Sequence, residues 1–311
     1  MIHQALMEDC PKNTEKVFHH QPVMMNEVIE HLNLQGDSII LDGTLGLGGH
    51  AQAVLEHLTT NGRLIGVDRD LQSLKKAQEN LKSYSGQCEF VQDDFRHIPE
   101  ILERIGIPKV DGILLDLGIS SFQLDNIQRG FSLRTNGPLD MRMDQDSYIS
   151  AYDLVNSLSE KEISAILKDF GQERWHYRIA HSLVHARVKN PIETTRELRH
   201  IVMRAIPYRR KRIKIHPATR TFQALRIAVN RELESLEMIL KTYPEFLNKG
   251  GRMVVIAFHS LEDRLVKENF RNQDKEGKVK IITKKPLRPP FEETRKNPRS
   301  RSARLRVAER I

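Results

Sequence analysis

The 311-residue chain carries a net charge of +8, with 39% apolar and 29% charged residues, so it can bury a core unaided and is too apolar to be disordered. Two cysteines, Cys10 and Cys88, exclude a disulfide scaffold and a zinc site built from cysteines. Apolar stretches such as Val254–Phe258 fall far short of the ~18 residues of a membrane span, and Met1–Pro11 lacks the apolar core of a secretory signal, so a soluble cytoplasmic protein without membrane contact is expected.

Residues 1–19 read as an N-terminal extension. After residue 20, short β-rich runs alternate with helical stretches. Strands are expected at Ser38–Asp42, Arg63–Asp68, Cys88–Gln92 and Asp111–Asp116, with helices over Gly49–Leu58 and Leu71–Leu81 between them. That alternation is the signature of βαβ units and a parallel sheet. From Ile127 to about Ile215 the pattern is helical, with a loop at Asn136-Gly137-Pro138 and no convincing buried strand. A helical pattern then runs over Thr219–Leu247, Gly250-Gly251 punctuates it, and a strand follows at Arg252–Phe258. Val279–Thr283 and Arg304–Val307 are candidates for a terminal strand pair. A structureless loop of roughly 90 residues would be improbable in a compact domain. The economical organisation is therefore one α/β domain, residues 20–126 and 216–311, interrupted by a helical insertion at 127–215.

Charge is unevenly spread. Arg196–Arg231 holds 11 basic residues against one acid, and Arg271–Ile311 holds 14 against 5, which leaves the remainder net acidic. An acidic body with two basic segments fits a catalytic core with a polyanion-binding surface. Neither segment has the apolar face of a membrane-surface helix, which favours nucleic acid.

The segment Asp42-Gly43-Thr44-Leu45-Gly46-Leu47-Gly48-Gly49-His50-Ala51 follows a strand and opens a helix. Glycines there permit a sharp turn and a close approach of backbone to ligand. Asp68 ends the next strand, where a carboxylate can accept from a ribose hydroxyl. Spacing alone does not separate a nicotinamide dinucleotide from S-adenosylmethionine. Asp93-Asp94-Phe95 after the third strand and Asp116 at the end of the fourth add acids along the same sheet edge. Such acids suit a cationic sulfonium better than a pyrophosphate, although one of Asp93 and Asp94 is expected to serve ordinary turn chemistry.

Longer words carry a resemblance. Asp116-Leu117-Gly118-Ile119-Ser120-Ser121, Arg129-Gly130-Phe131-Ser132, Gly137-Pro138-Leu139-Asp140-Met141-Arg142-Met143-Asp144, His216-Pro217-Ala218-Thr219-Arg220-Thr221-Phe222-Gln223-Ala224-Leu225-Arg226, His259-Ser260-Leu261-Glu262-Asp263-Arg264 and Asn297-Pro298-Arg299-Ser300-Arg301-Ser302-Ala303 occur in that order. From about His20 to the end the sequence resembles the RsmH (MraW) family of bacterial ribosomal RNA small-subunit methyltransferases. The resemblance implies a class I, Rossmann-like, S-adenosylmethionine-dependent methyltransferase with an inserted helical domain for substrate recognition. It further implies N4-methylation of a cytidine in the decoding region of 16S rRNA, with the RNA or the small ribosomal subunit as partner. Cofactor contacts carry over at Gly48, Gly49, His50, Asp68, Phe95, Asp116 and Gln123. Two positions depart from the family: Phe122 stands where proline is usual, and Gln172 replaces a common glutamate.

An exocyclic amine is a poor nucleophile because its lone pair is delocalised into the ring. Its methylation needs alignment and a hydrogen-bond acceptor on the nitrogen. Asp116 is one candidate, although the Pro-Pro-aromatic word that often follows such an acid is missing. Asp140 is a second, unless it forms a local pair with Arg142; His259, with Asp263, is a third, unless they cap a helix. Neither cysteine is placed for attack on a ring carbon, no Gly-x-Ser-x-Gly elbow exists, and His19, His20 and His216 lack metal-ligand spacing, so no metal is expected. Two other readings stay open at this level: a nicotinamide-dependent oxidoreductase, and a non-enzymatic RNA-binding ribosome assembly factor.

Overall fold

The computed structural model describes residues 22–207 and 216–311; the N-terminal extension, Cys10 and the basic run Arg209–Arg212 lie outside the described residues. At its centre is a seven-stranded sheet in the order β3-β2-β1-β4-β5-β7-β6. The strands are β1 (Ile39–Asp42), β2 (Arg63–Asp68), β3 (Cys88–Gln92), β4 (Val110–Asp116), β5 (Leu247–Ala257), β6 (Val279–Ile281) and β7 (Arg304–Arg310). The first five are parallel, while β7 runs antiparallel between β5 and β6. Strands β2 and β3 coincide with their expected limits. Strand β5 begins earlier than the expected Arg252, at Leu247, because Gly250 takes a φ of +82° and the pairing with β4 shifts register between Val110 and Gly112.

Alternate residues of each strand feed opposite layers, the period-two rule of extended chain. Leu114, Val254 and Ile256 pack under α1 (Met25–Leu32), α2 (Gly49–Leu55) and α3 (Leu71–Asn80). Ile113, Leu115 and Val255 face α4 (Ile98–Arg104), α11 (Glu232–Phe246) and α12 (Ser260–Lys275). Covered on both faces, the central strands read as nearly unbroken apolar runs.

The helical part comprises α5 (Ser121–Asp125), α6 (Ala151–Ser157), α7 (Glu160–Asp169), α8 (His176–Arg187) and α9 (Thr195–Ala205), joined by α10 (Thr219–Asn230). Capping boxes start four of these: Ser120 with Gln123, Ser150 with Asp153, Ser159 with Glu162 and Thr194 with Glu197, each satisfying backbone N–H groups that a helix start would otherwise strand. Their apolar faces make a core of their own that runs from Phe131 to Leu225. Ala218, Phe222 and Leu225 of the α10 region belong to that core, so α10 packs with the insertion rather than with the sheet. The single helical run expected over Thr219–Leu247 breaks at Arg231, whose φ of 50° is left-handed.

Buried polar groups stitch the two parts together. Asp70 caps α3 and accepts from Gln123 Nε2 at 2.8 Å and Arg129 Nη1 at 2.6 Å, while Arg129 Nη2 donates to the carbonyls of Arg142 and Met143. Asn230 bonds the backbone of Met141 and Met143. Ser260 Oγ donates to Gln172 Oε1 at 2.9 Å, which gives the unusual glutamine a neutral acceptor role between insertion and α12.

Candidate active site

The carboxyl ends of the parallel strands open into a cavity of about 500 Å³. Because strand order sets position along this edge, its lining follows from the sheet. Asp93 and Phe95 stand beyond β3 and Asp68 at the end of β2. The glycine turn follows β1, Asp116 closes β4, and Phe258 with Glu262 lies beyond β5. Ligands of open α/β sheets bind at this edge.

The glycine turn is shaped by its residues. Gly46 and Gly48 have φ of +54° and +82°, and a Cβ on Gly48 would lie 3.0 Å from Leu81. Gly46 N donates to Asp68 Oδ2 at 2.7 Å, tying the turn to β2. Asp42 accepts from Thr44 N at 3.1 Å, and Thr44 Oγ1 accepts from Asp116 N at 2.6 Å, so β1 and β4 are locked at their tips. His50 directs Nε2 to the carbonyl of Val23 at 2.9 Å and places Nδ1 3.7 Å from Asp116 Oδ2.

Three acids shape the electrostatics. Burial pushes Asp42 up to about 7, with the charge of Asp68 adding to it. Burial likewise raises Asp68 to about 6, against the N–H bonds from Asp70 and Gly46. Asp116 is held well above the carboxylate range, first by burial and then by Asp42, Glu262 and Glu293. Its Oδ1 is buried with no hydrogen-bond partner. An unpaired buried acceptor costs ~1–3 kcal/mol, so it marks a place where a ligand can donate. The arginines in the lining are engaged elsewhere: Arg69 donates to Asp94 and to the carbonyl of Asn230, and Arg299 pairs with Asp125 at 2.6 Å. The cavity therefore fits a cationic group carrying N–H and ribose donors, as S-adenosylmethionine does, and offers a pyrophosphate little.

All seven residues carried over as cofactor contacts line this one cavity. Gln123 does so with its amide already engaged, donating to Asp70 and accepting from Ser120 N, so it shapes the wall and braces the loop. Of the Asp93-Asp94 pair, Asp93 faces the cavity. Asp94 is consumed by Arg69, Arg96 and Ser235, the turn chemistry expected of one of them. Phe122 stacks under Lys76 Nζ at 5.2 Å, outside the lining.

The catalytic candidates separate. Asp116 is in the cavity. Asp140 is not: Arg142 grips it through N, Nε and Nη2, the last at 2.7 Å, so it acts as a local structural pair. His259 caps α12 in a box with Glu262. Asp263 is clamped by Arg304 and Arg306 at 2.7 Å each. Those clamps, with Arg226 on Glu232 and Arg231 on Glu234, show that part of both basic segments serves the fold. Lys284, Lys285, Arg288, Arg295 and Arg301 remain exposed. Cys88 is partly buried in β3 and its thiol is pushed up to about 11 by burial, which makes it a poor nucleophile.

Glu232, Phe258 and Glu262 line the cavity and were not singled out from sequence. Glu262 lies inside a recognised word, but its position depends on how α12 docks. Among the described residues, two groups bring metal-ligand types within 4.8 Å, neither of them weighed in the sequence: Glu160, His181 and His185, and Glu232, His259 and Glu262. In the second, Arg226 engages both oxygens of Glu232, and His259 Nδ1 accepts from Glu262 N.

A model described as the MraW methylase family matches residues 17–311. The chain is 50% identical over 309 residues to the ribosomal RNA small subunit methyltransferase H of Geotalea uraniireducens, covering 94% of this chain and 99% of that one. It is 47% identical over 311 residues to the protein of the same name from Heliobacterium modesticaldum, covering 95% and 99%. The counterpart in Clostridioides difficile is 46% identical over 309 residues, covering 94% and 99%. Membership removes the nicotinamide reading of the glycine turn. With the reversed β7, the acidic strand tips and a match spanning nearly the whole chain, the protein belongs to the MraW methylase family of class I, S-adenosylmethionine-dependent methyltransferases.

Proposed function

We propose that the protein methylates the exocyclic N4 of a cytidine in the decoding region of 16S rRNA, on the small ribosomal subunit or a precursor of it, in the cytoplasm. The observation that carries this reading is Asp116 Oδ1, a buried acceptor without a partner, set between the glycine turn and the β5 end of the cavity. An amine nucleophile is the donor such an atom lacks. When bound, S-adenosylmethionine supplies an electrophilic methyl group on a sulfonium sulfur. Gly48, Gly49 and His50 would hold it at the glycine turn, Asp68 would accept from its ribose, Phe95 would flank its adenine, and Asp116 would hold the amino-acid side beside the wall that Gln123 braces. Asp116 would accept an N–H of the target amine, orient the nitrogen and take up the proton released as the new N–C bond forms and the methyl–sulfur bond breaks, the sulfur leaving as a neutral thioether. Burial and the neighbouring acids hold its pKa well above the carboxylate range, which strengthens its hold on that proton. The low nucleophilicity of the amine is met by alignment, which can contribute several kcal/mol, about 7–11 at the limit.

The helical insertion and the exposed cations of segments 196–231 and 271–311 would engage flanking phosphates, giving affinity and register without choosing the base. A stacked or paired cytidine must be turned out before it can reach the cavity. The test is incubation with methyl-labelled S-adenosylmethionine and unmodified small subunits, followed by digestion to nucleosides. Label in N4-methylcytidine is expected. Label in any other nucleoside overturns the base assignment, and no turnover despite cofactor binding and RNA binding would favour an assembly factor.

A further inference from the structure

Beyond Asp116 the cavity continues past β5, where no cofactor contact is assigned. Leu117 N donates to the carbonyl of Ile256, which sets Phe258 beside Gly118; a Cβ there would lie 3.7 Å from Phe258 Cδ2. Glu262, on the first turn of α12, points its carboxylate back at this wall. Its Oε2 accepts from Phe258 N at 2.8 Å and His259 N at 3.2 Å, which fixes the group and leaves Oε1 as the working atom. Burial works against its ionisation, but His259, Arg226 and the Phe258 N–H hold it below the usual glutamate range. It faces Asp116 closely enough to raise that acid.

His259 stands behind it. Its Nδ1 accepts from Glu262 N, which leaves Nε2 as the nitrogen that carries a proton. That nitrogen is buried, has no hydrogen-bond partner, and belongs to a side chain only 9% exposed. It lies 3.1 Å from Glu262 Oε1, off the line of the N–H. Glu262 lines the cavity while His259 stands behind it, so the carboxylate is the group presented to a ligand and the imidazole is what holds it there.

We propose that Glu262 Oε1 is the subsite acceptor for the exocyclic amine on the 4-aminopyrimidine edge of the target base, with His259 as its positioning residue. Glu262 accepts one N–H of that amine, and His259, capping α12 and set 3.1 Å from Oε1, keeps the carboxylate in place. Phe258 presents its ring as a flanking wall. Asp116 takes the second N–H, so the amine is held in its plane by two carboxylates and its lone-pair face is left to the methyl group. Uracil, with an oxygen in place of the amine, would meet two carboxylates with no donor and be rejected. The assignment deepens the cytidine reading given above and depends on it only for the choice between two bases, because adenine carries the same edge.

Two variants test it with small subunits as substrate. Glu262→Gln keeps an acceptor for the Phe258 and His259 N–H groups but turns a donor or a neutral oxygen to the amine. His259→Asn keeps the helix cap, for which asparagine is well suited, and removes the Nε2–H. Each is expected to lower kcat/KM on the order of 10- to 100-fold, with S-adenosylmethionine affinity within twofold of wild type and an unchanged unfolding midpoint. If Glu262→Gln does not fold, His259→Asn carries the test alone. Folded variants with wild-type kcat and KM overturn the subsite, whatever nucleoside is labelled. Wild-type label in N6-methyladenosine with both variants impaired overturns the cytidine reading and sustains the subsite. Label on a ring carbon or a ribose oxygen overturns both.

Discussion

The two ends of the cavity are built differently. At the β2–β3 end the acids that face the ligand are already bonded: Asp68 accepts from Gly46 N and Asp70 N, and Asp93 from His97 Nδ1 at 2.7 Å. At the β4–β5 end, Asp116 Oδ1 is buried and unsatisfied, and His259 Nε2 behind Glu262 is likewise without a hydrogen-bond partner. The first end is rigid before anything binds, as a site for a large cofactor should be. The second end keeps polar atoms short of partners, which is tolerable only where the substrate supplies them. Shape is thus invested in the cofactor and unmet hydrogen-bonding capacity in the base.

The sharpest way to break this contrast is at the seam between the ends. Arg129, 1% exposed and paired with Asp70, ties the loop after β4 to the tip of β2. Arg129→Ala leaves a buried carboxylate without its countercharge and should cost ~3–5 kcal/mol in denaturant unfolding. A loss below ~1 kcal/mol would show that the two ends do not depend on that pair.

Next in size is Asp116→Asn. It should reduce methyl transfer by roughly 10²–10⁴-fold while unfolding stability stays level or rises, since a crowded carboxylate is gone. A rate within tenfold of wild type would move the acceptor role away from the β4 tip. Gly48→Ala acts on the other end alone. Its left-handed φ costs an L-residue ~1–2 kcal/mol, and Leu81 would have to give way, so calorimetry should read S-adenosylmethionine binding weakened about tenfold or more.

The smallest effect is on pH. Asp68 and Asp42 have folded pKa values raised to about 6 and about 7. Being raised, they contribute stability fully below the unfolded carboxylate range and lose it as pH rises through those values. The unliganded protein should therefore weaken between about pH 4 and 7 from this source. A cationic ligand prefers the ionised acids, so S-adenosylmethionine should bind more tightly across the same window with release of protons. Calorimetry in buffers of different ionisation enthalpy measures that release; pH-independent affinity would deny the acids their role.

Much of the sheet was legible because interior parallel strands are apolar on both faces and end in recognisable acids. The break at Arg231 was not, since arginine in a left-handed conformation carries none of the signal of glycine or asparagine. Among site residues, those attached to the glycine turn and strand tips could be read locally. Asp140 could not be told from a catalytic acid because its pairing with Arg142 is a matter of geometry two residues away. Glu262 and Glu232 enter the cavity only through the docking of α12 and the packing of α10 against α11, contacts that no spacing encodes.

The placement of β7 has a consequence for synthesis. It is nearly the last segment of the chain, yet it lies between β5 and β6 and delivers Arg304 and Arg306 to Asp263. Until those residues leave the ribosome, β5 is an open edge, β6 has no sheet to join, and α12, which bears Glu262 in its first turn, is unanchored on that side. The catalytic face can be completed only once β7 has been made, so chains cut short before it would be exposed to association through β5 rather than active in part.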